Sequence, residues 1–216
     1  MIITYHGAEC VRLQFGNTVI ALGPISKESN LKAARFGADM TLISLNHADT
    51  NGFEAAAFGD KQPFIVQGPG EYEIKDVLIK GFLSASRYDG KKPAAADRIN
   101  TVYQISLEGM NLCYLGAINT KDLPHEANEA IDNVDILFIP IGGEGVLTPA
   151  EAYKLSVAIE PKIIIPIHFG EIGVPNALKN FLKESGAEGV KPIEKLTVKK
   201  KDLEGKEGEI VVLKEP

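Results

Sequence analysis

The chain has 216 residues, 44% of them apolar and 24% charged, with a formal net charge of −6. This length fits one domain or two small ones and can bury roughly 70% of the unfolded surface, so a disordered chain is excluded. The acidic balance argues against a broad nucleic-acid or anionic-membrane surface, and no apolar run approaches the ~20 residues needed to span a bilayer. Ile2–Tyr5, Cys10–Phe15 and Thr18–Leu22 are rich in β-formers, and Gly16-Asn17 is a two-residue hairpin signal. A short helix is predicted over Lys27–Arg35 and a buried strand over Met40–Leu45. A polar turn, Asn46–Gly52, leads into a small helix around Phe53–Phe58. Phe64–Gln67 is a strand closed by Gly68-Pro69-Gly70, and Glu71–Gly81 and Asn100–Leu107 continue the β pattern. Between them Ser84–Arg98 (SASRYDGKKPAAADR) has the composition of an exposed, mobile loop. Glu108-Gly109 then closes a hairpin that ends at Leu115.

The last hundred residues alternate strand and helix. Val134–Ile141 and Lys162–Ile167 are continuous apolar runs, as expected of strands buried on both faces. Thr148-Pro149-Ala150-Glu151 supplies cap, N1 proline and capping-box glutamate in order, and a second helix is predicted over Pro175–Ser185 with Gly186 as its stop. Two strands, Leu196–Lys200 and Glu209–Leu213, end the chain, with Lys199–Lys201 read as a solvated strand end. No linker interrupts 1–216, which reads as one domain. Its fold class is α/β, a sandwich with helices outside two packed sheets.

Two stretches could carry chemistry. His47 and Asp49 follow one buried strand, and His168 follows another, at sheet edges where α/β folds commonly place their sites. Taken alone, a histidine at a strand end is more often a hydrogen-bonded structural residue, and Asp49-Thr50-Asn51 reads equally well as a helix cap. Together they are two imidazoles and a carboxylate, a ligand set suited to Zn, Fe(II) or Mn(II). With only four histidines in the chain, a centre of five or six imidazoles is excluded. His6 and His125 read as structural or surface residues. Cys113 and Tyr114 point to opposite faces of their strand, so if Tyr114 faces the cleft, Cys113 faces the packed side. Glu71, in Pro-Gly-Glu-Tyr, either lines the cleft or forms a turn. Gly142–Gly145 fits no nucleotide-binding spacing, and no Gly-x-Ser-x-Gly elbow occurs. The start, MIITYHGAEC, has neither the basic region nor the apolar stretch of a signal peptide, and two cysteines cannot form a disulfide scaffold. A cytoplasmic setting is expected.

In order along the chain, ADMTLISLNHADTNG (38–52), GPGEYEIKDVLIKG (68–81), NTVYQISLEGMNLCYLGAIN (100–119), VDILFIPIGG (134–143) and PKIIIPIHFG (161–170) resemble the metallo-β-lactamase superfamily. More narrowly they resemble the UlaG-like (L-ascorbate-6-phosphate lactonase-like) metal-dependent hydrolases. The resemblance implies a four-layer αββα sandwich with two similar halves, and metal-assisted hydrolysis in which one or two ions activate a bound water. The family's His-x-His-x-Asp-His falls here on Leu45-Asn46-His47-Ala48-Asp49-Thr50, so Leu45 and Thr50 stand where histidines are expected. The loop that carries a further histidine in relatives is Ser84-Ala85-Ser86-Arg87, with Ser86 nearest that place. His-Leu-Gly-Asp becomes Tyr114-Leu115-Gly116-Ala117, which replaces the metal-bridging carboxylate with alanine, and Asp-Pro becomes Gly23-Pro24. Only His47, Asp49 and His168 keep ligand identity, the first implied for one ion and the other two for its neighbour. Leu45, Thr50, Glu71, Ser86, Tyr114 and Ala117 are expected to line the cleft.

Three readings follow. In the first, the two-metal site is largely lost, hydrolysis is weak or absent, and the role is binding or assembly. In the second, a mononuclear hydrolase of a small phosphorylated or ester/lactone metabolite uses one weakly held Zn or Mn on His47, Asp49 and His168, with Asp49 catalytic. In the third, a metal-free pocket of Tyr114, Asp49 and the histidines binds a small ligand. The partners expected are a small molecule and, from the fold's β-rich surfaces, a second copy of the chain, with no nucleic acid and no membrane.

Overall fold

The computed structural model describes residues 1–90 and 92–215. Thirteen strands among them form two sheets packed face to face. The first sheet holds β1 (Ile2–Tyr5), β2 (Val11–Phe15), β3 (Thr18–Leu22), β4 (Met40–Ile43), β5 (Phe64–Gln67) and β12 (Leu196–Thr197), in the order β12-β1-β2-β3-β4-β5. The second holds β6 (Gly70–Ile74), β7 (Val77–Ser86), β8 (Arg98–Leu107), β9 (Met110–Tyr114), β10 (Ile136–Pro140), β11 (Ile163–Ile167) and β13 (Glu209–Ile210), in the order β13-β11-β10-β9-β8-β7-β6. The inner faces meet in one apolar core, with Ile3, Leu13, Leu22 and Leu42 on one side and Ile79, Ile105, Phe138 and Ile165 on the other. β10 and β11 are buried at every position, as their unbroken apolar runs require, because helices cover their outer face.

Those helices are α3 (Pro149–Ile159) and α4 (Ala177–Glu184), which place Leu155, Phe181 and Leu182 against Leu137, Ile139 and Ile164. α3 begins as its sequence specifies, with the Thr148–Glu151 capping box formed and a proline at its first turn. On the outside of the first sheet the cover is thinner: α1 (Phe53–Ala56) and the segment through Phe36 pack over Val19, Ala21 and Ala38. α2 (His125–Ala130) precedes β10. The result is two mixed sheets flanked by helices, the αββα sandwich. Among the described residues no helix is long and apolar enough to cross a membrane.

The two halves repeat one device. In each, three consecutive parallel strands (β3-β4-β5 and β9-β10-β11) are clamped at their starts by a buried aspartate just before the middle strand. Asp39 accepts from the Val19 N–H at 2.9 Å and pairs with Lys61 and Lys75. Asp135 accepts from the Asn111 N–H at 2.8 Å and pairs with Lys162 at 2.7 Å and Lys200 at 2.6 Å.

Three expectations are corrected. Lys27–Arg35 is not helical: Ser26 and Ser29 spend their hydroxyls on Glu54 and Asp49, and Leu31 and Ala33 pack against Ala8, Cys10 and Ile25, so tertiary bonds override local helix propensity. Ser84–Arg98 is not simply an exposed loop, since β7 runs through Ser86, β8 starts at Arg98, and Tyr88 between them is wholly buried. Lys91 of that stretch lies outside the described residues. Lys199–Lys201 is not a strand end; Lys200 opens a 3-10 turn (Lys200–Leu203) and is the ion-pair partner of buried Asp135.

Candidate functional site

The site forms where four chain segments leave the sandwich at one edge. β4 ends at Ile43, and the next residues are held to the second sheet by the Thr101 N–H donating to the Ser44 carbonyl at 2.8 Å and by a bridge from Leu45 to Asn100. The following turn is tied internally: the Thr50 hydroxyl donates to the Leu45 carbonyl at 2.8 Å, and the N–H groups of Thr50 and Asn51 both donate to the His47 carbonyl. His168 follows β11 in a left-handed conformation (φ 59°), with its N–H donating to the Ala8 carbonyl at 2.6 Å. Glu9 comes from the β1–β2 turn, and Tyr88 from the segment after β7.

Glu9 is the hub of one half of the site. Its Oε1 lies 2.9 Å from His168 Nδ1, and its Oε2 accepts from the Ser44 hydroxyl at 2.9 Å and the Tyr114 hydroxyl at 3.1 Å. Glu9, Tyr114 and His168 are all 0% exposed. A buried carboxylate survives only when its oxygens are satisfied, and three donors achieve that here. Burial and the Glu9 charge together raise the Tyr114 phenol well above its ordinary value, so it stays a donor. With Nδ1 facing Glu9, His168 Nε2 is left buried and without a hydrogen-bond partner.

Asp49 is the hub of the other half. Its Oδ2 accepts from the Tyr88 hydroxyl at 2.6 Å and its Oδ1 from the Ser29 hydroxyl. His47, half-buried at the rim, turns Nδ1 toward the Asp49 N–H at 3.2 Å, leaving Oδ2 3.5 Å away. Tyr88 joins the halves. Its ring centroid lies 5.0 Å from that of His47 and 4.5 Å from that of His168, in edge-to-face contact with both. Leu45, Ala117, Val146 and Ile172 pack around it. Its own backbone is fixed by the Ser86 hydroxyl, which accepts the Tyr88 N–H at 3.0 Å, and by Arg98, which donates to its carbonyl at 3.2 Å. Burial, then the hydrogen bond to Asp49, push the Tyr88 phenol far above its ordinary value.

The structure thus gathers His47, Asp49, His168, Leu45, Thr50, Ser86, Tyr114 and Ala117 at one sheet edge. Glu71 is the exception and corrects an expectation: its side chain is 78% exposed on β6 and pairs with Lys80 across the strand pair at 3.1 Å. His6 is held by Thr4 and packs at a tilt against Phe36, and His125 lies exposed beside Glu129. Cys113 faces the helix side of its strand and Tyr114 the inner side. Sequence reasoning missed Glu9, Ser29 and Tyr88. Glu9 sits in a turn with no motif around it, but an aromatic residue inside the polar run Ser84–Arg98 was a usable signal for Tyr88.

As arranged, these residues do not fit a metal ion. Both Asp49 oxygens already accept a hydroxyl, His47 Nδ1 is taken by the Asp49 N–H, and Leu45 and Ala117 offer no donor atom. The Ala117 methyl lies in the apolar cluster while its N–H donates to Asn100 Oδ1 at 2.9 Å. Among the described residues no group of three or more His, Cys, Asp or Glu side chains could hold a metal. What is left, the Nε2 atoms of His47 and His168 with both rings against Tyr88, is two nitrogens and not a three-ligand site.

Comparison with known proteins gives a consistent family. The sequence model of the β-lactamase superfamily domain matches residues 2–168. A UPF0173 metal-dependent hydrolase of Bacillus thuringiensis (strain Al Hakam) is 24% identical over 208 residues, covering 81% of this chain and 88% of that protein. In structure, the chain is similar to a Thermotoga maritima protein described as a Zn-dependent hydrolase of the metallo-β-lactamase superfamily (TM-score 0.75, 24% identity, 98% of this chain and 97% of that one). It is also similar to a metallo hydrolase of Ignicoccus hospitalis (TM-score 0.60, 18% identity, 92% and 99%).

Proposed function

Because this chain belongs to the β-lactamase superfamily of metal-dependent hydrolases, we propose that it is a member which has given up the family's two-ion centre and serves in binding or assembly, with weak or no hydrolase activity. The observation that carries this reading is Tyr88: its hydroxyl takes the Asp49 carboxylate and its ring rests on both imidazoles. Leu45, Thr50 and Ala117 support it, because they replace donors with a methyl-rich wall and a hydroxyl already bonded to backbone. Apart from the unpartnered His168 Nε2, the polar atoms named here bond within the chain, whereas a hydrolytic centre keeps a coordination position open for water. The two buried, unpaired cysteines support a cytoplasmic setting. Growth with added Zn and Mn, purification without chelator and elemental analysis test the proposal, alongside turnover of phosphate-ester and lactone panels. We expect substoichiometric metal and no turnover above background; a stoichiometric ion with turnover overturns the reading.

A competing reading, the single-ion hydrolase, draws on one feature. The Glu9–His168 pair has the form of a carboxylate that orients a ligand histidine and leaves Nε2 free. Unchanged metal content and unchanged turnover in His168→Ala would remove it.

A further inference from the structure

The cleft is defined as much by what fills it as by what it lacks. Arg87 and Asp89 are exposed, yet Tyr88 between them is 0% exposed, so the chain turns this one side chain inward from a surface segment. What it meets has three parts. An apolar wall of Leu45, Ala117, Val146 and Ile172 fits the ring. The edge-to-face contacts with His47 and His168 orient it. At the end of the ring, Asp49 Oδ2 accepts the hydroxyl at 2.6 Å. Nearby, buried Glu9 adds a second carboxylate. Two carboxylates exclude an anionic occupant, and the apolar wall disfavours a strongly hydrated one. The group these surroundings select is a flat, neutral aromatic ring with a hydroxyl at its far end.

We infer that the cleft is a hydroxyaryl-binding site occupied by the chain's own Tyr88, and that it accepts a free phenol when that side chain is withdrawn or removed. Tyr88 is then an internal ligand, and its described neighbours Arg87 and Asp89 belong to its carrier. Arg98 and Ser86 hold this carrier in place through the Tyr88 backbone. The inference rests on the metal-free reading of the cleft, since an ion on Asp49 and His168 would claim the same atoms.

The test is thermal unfolding of the full chain carrying Tyr88→Gly, with p-cresol, toluene or zinc chloride as probes. The variant should melt lower than the parent by on the order of 10 °C. Millimolar p-cresol should restore much of that loss while leaving the parent unchanged. Toluene should restore clearly less, because it cannot donate to Asp49. Equal rescue by toluene, absence of rescue by p-cresol, or rescue by zinc alone overturns the inference. If Tyr88→Gly does not fold, Tyr88→Phe decides: loss of the buried donor should lower its melting temperature by a few degrees, and a parent-like value overturns the inference. The metal-free reading fails separately, if the parent protein itself retains stoichiometric zinc.

Discussion

Gly23 and Gly116 follow β3 and β9, the equivalent strands of the two halves, and both hold a left-handed conformation (φ 49° and 60°). A Cβ on Gly23 would fall 2.4 Å from the Tyr114 hydroxyl, and one on Gly116 would fall 2.3 Å from the Ser44 Cβ. Both glycines therefore admit the Glu9 network by having no side chain. Gly23→Ala and Gly116→Ala should each destabilise by about 3 kcal/mol or more, from backbone strain plus overpacking. Gly16→Ala, also at positive φ but with no neighbour within 4 Å, should cost about 1 kcal/mol in the same urea titration. The thiols make a second prediction at this scale. Burial pushes Cys10 and Cys113 up to about 12, so neither should react with an aromatic disulfide reagent in the native protein, and both should react in urea. The orientation of Cys113 was legible in sequence, because alternation along β9 assigns Cys113 and Tyr114 to opposite faces. Glu9 was not: one acidic residue in a turn looks solvated until three donors close around it.

At the scale of elements, local signals succeeded where one segment carries its own reason to fold. α3 is the clearest case, with cap, proline and glutamate all in one tetrapeptide. Thr148→Ala should cost about 1 kcal/mol, since it leaves the Glu151 N–H and the Glu151 carboxylate without their hydroxyl partner; a urea titration against the parent measures it. The apolar runs of β10 and β11 were equally plain. Lys27–Arg35 failed because its flanking and internal serines bond to Glu54 and Asp49, residues some twenty or more positions away. Ser84–Arg98 failed for a related reason: composition averages over a window, and a window of polar residues hides one tyrosine turned inward.

At the scale of the molecule, the paired aspartate clamps tie each half together. Burial opposes ionisation of Asp39, but hydrogen bonds from Lys61, Lys75 and the Val19 N–H prevail and hold it at about 2. Asp135 is lowered in the same way by Lys162, Lys200 and the Asn111 N–H, again against burial. A carboxyl depressed in the folded state contributes fully above the unfolded value of about 3.9, and the contribution is lost as pH falls through the folded value. The protein should therefore lose stability between about pH 4 and pH 2. Asp39→Asn should remove about 1–2 kcal/mol at pH 7, with solvent screening the lysine heads, and much less at pH 2. Urea midpoints at the two pH values check this, and an equal loss at both would contradict the clamp.

By itself the sequence determined the sandwich, because strand alternation, buried apolar runs and caps are properties of short segments. It also carried the expectation, from the resemblance, that Leu45, Thr50 and Ala117 stand where relatives hold ligands, because the chemistry of those side chains is fixed wherever they lie. Only the tertiary structure decided what surrounds those side chains. Glu9, Ser29, Tyr88, Asp49 and His168 come from five separate segments. Whether a carboxylate coordinates an ion or is satisfied within the chain depends on which hydroxyl reaches it first in space. Here the Tyr88 hydroxyl reaches Asp49 at 2.6 Å.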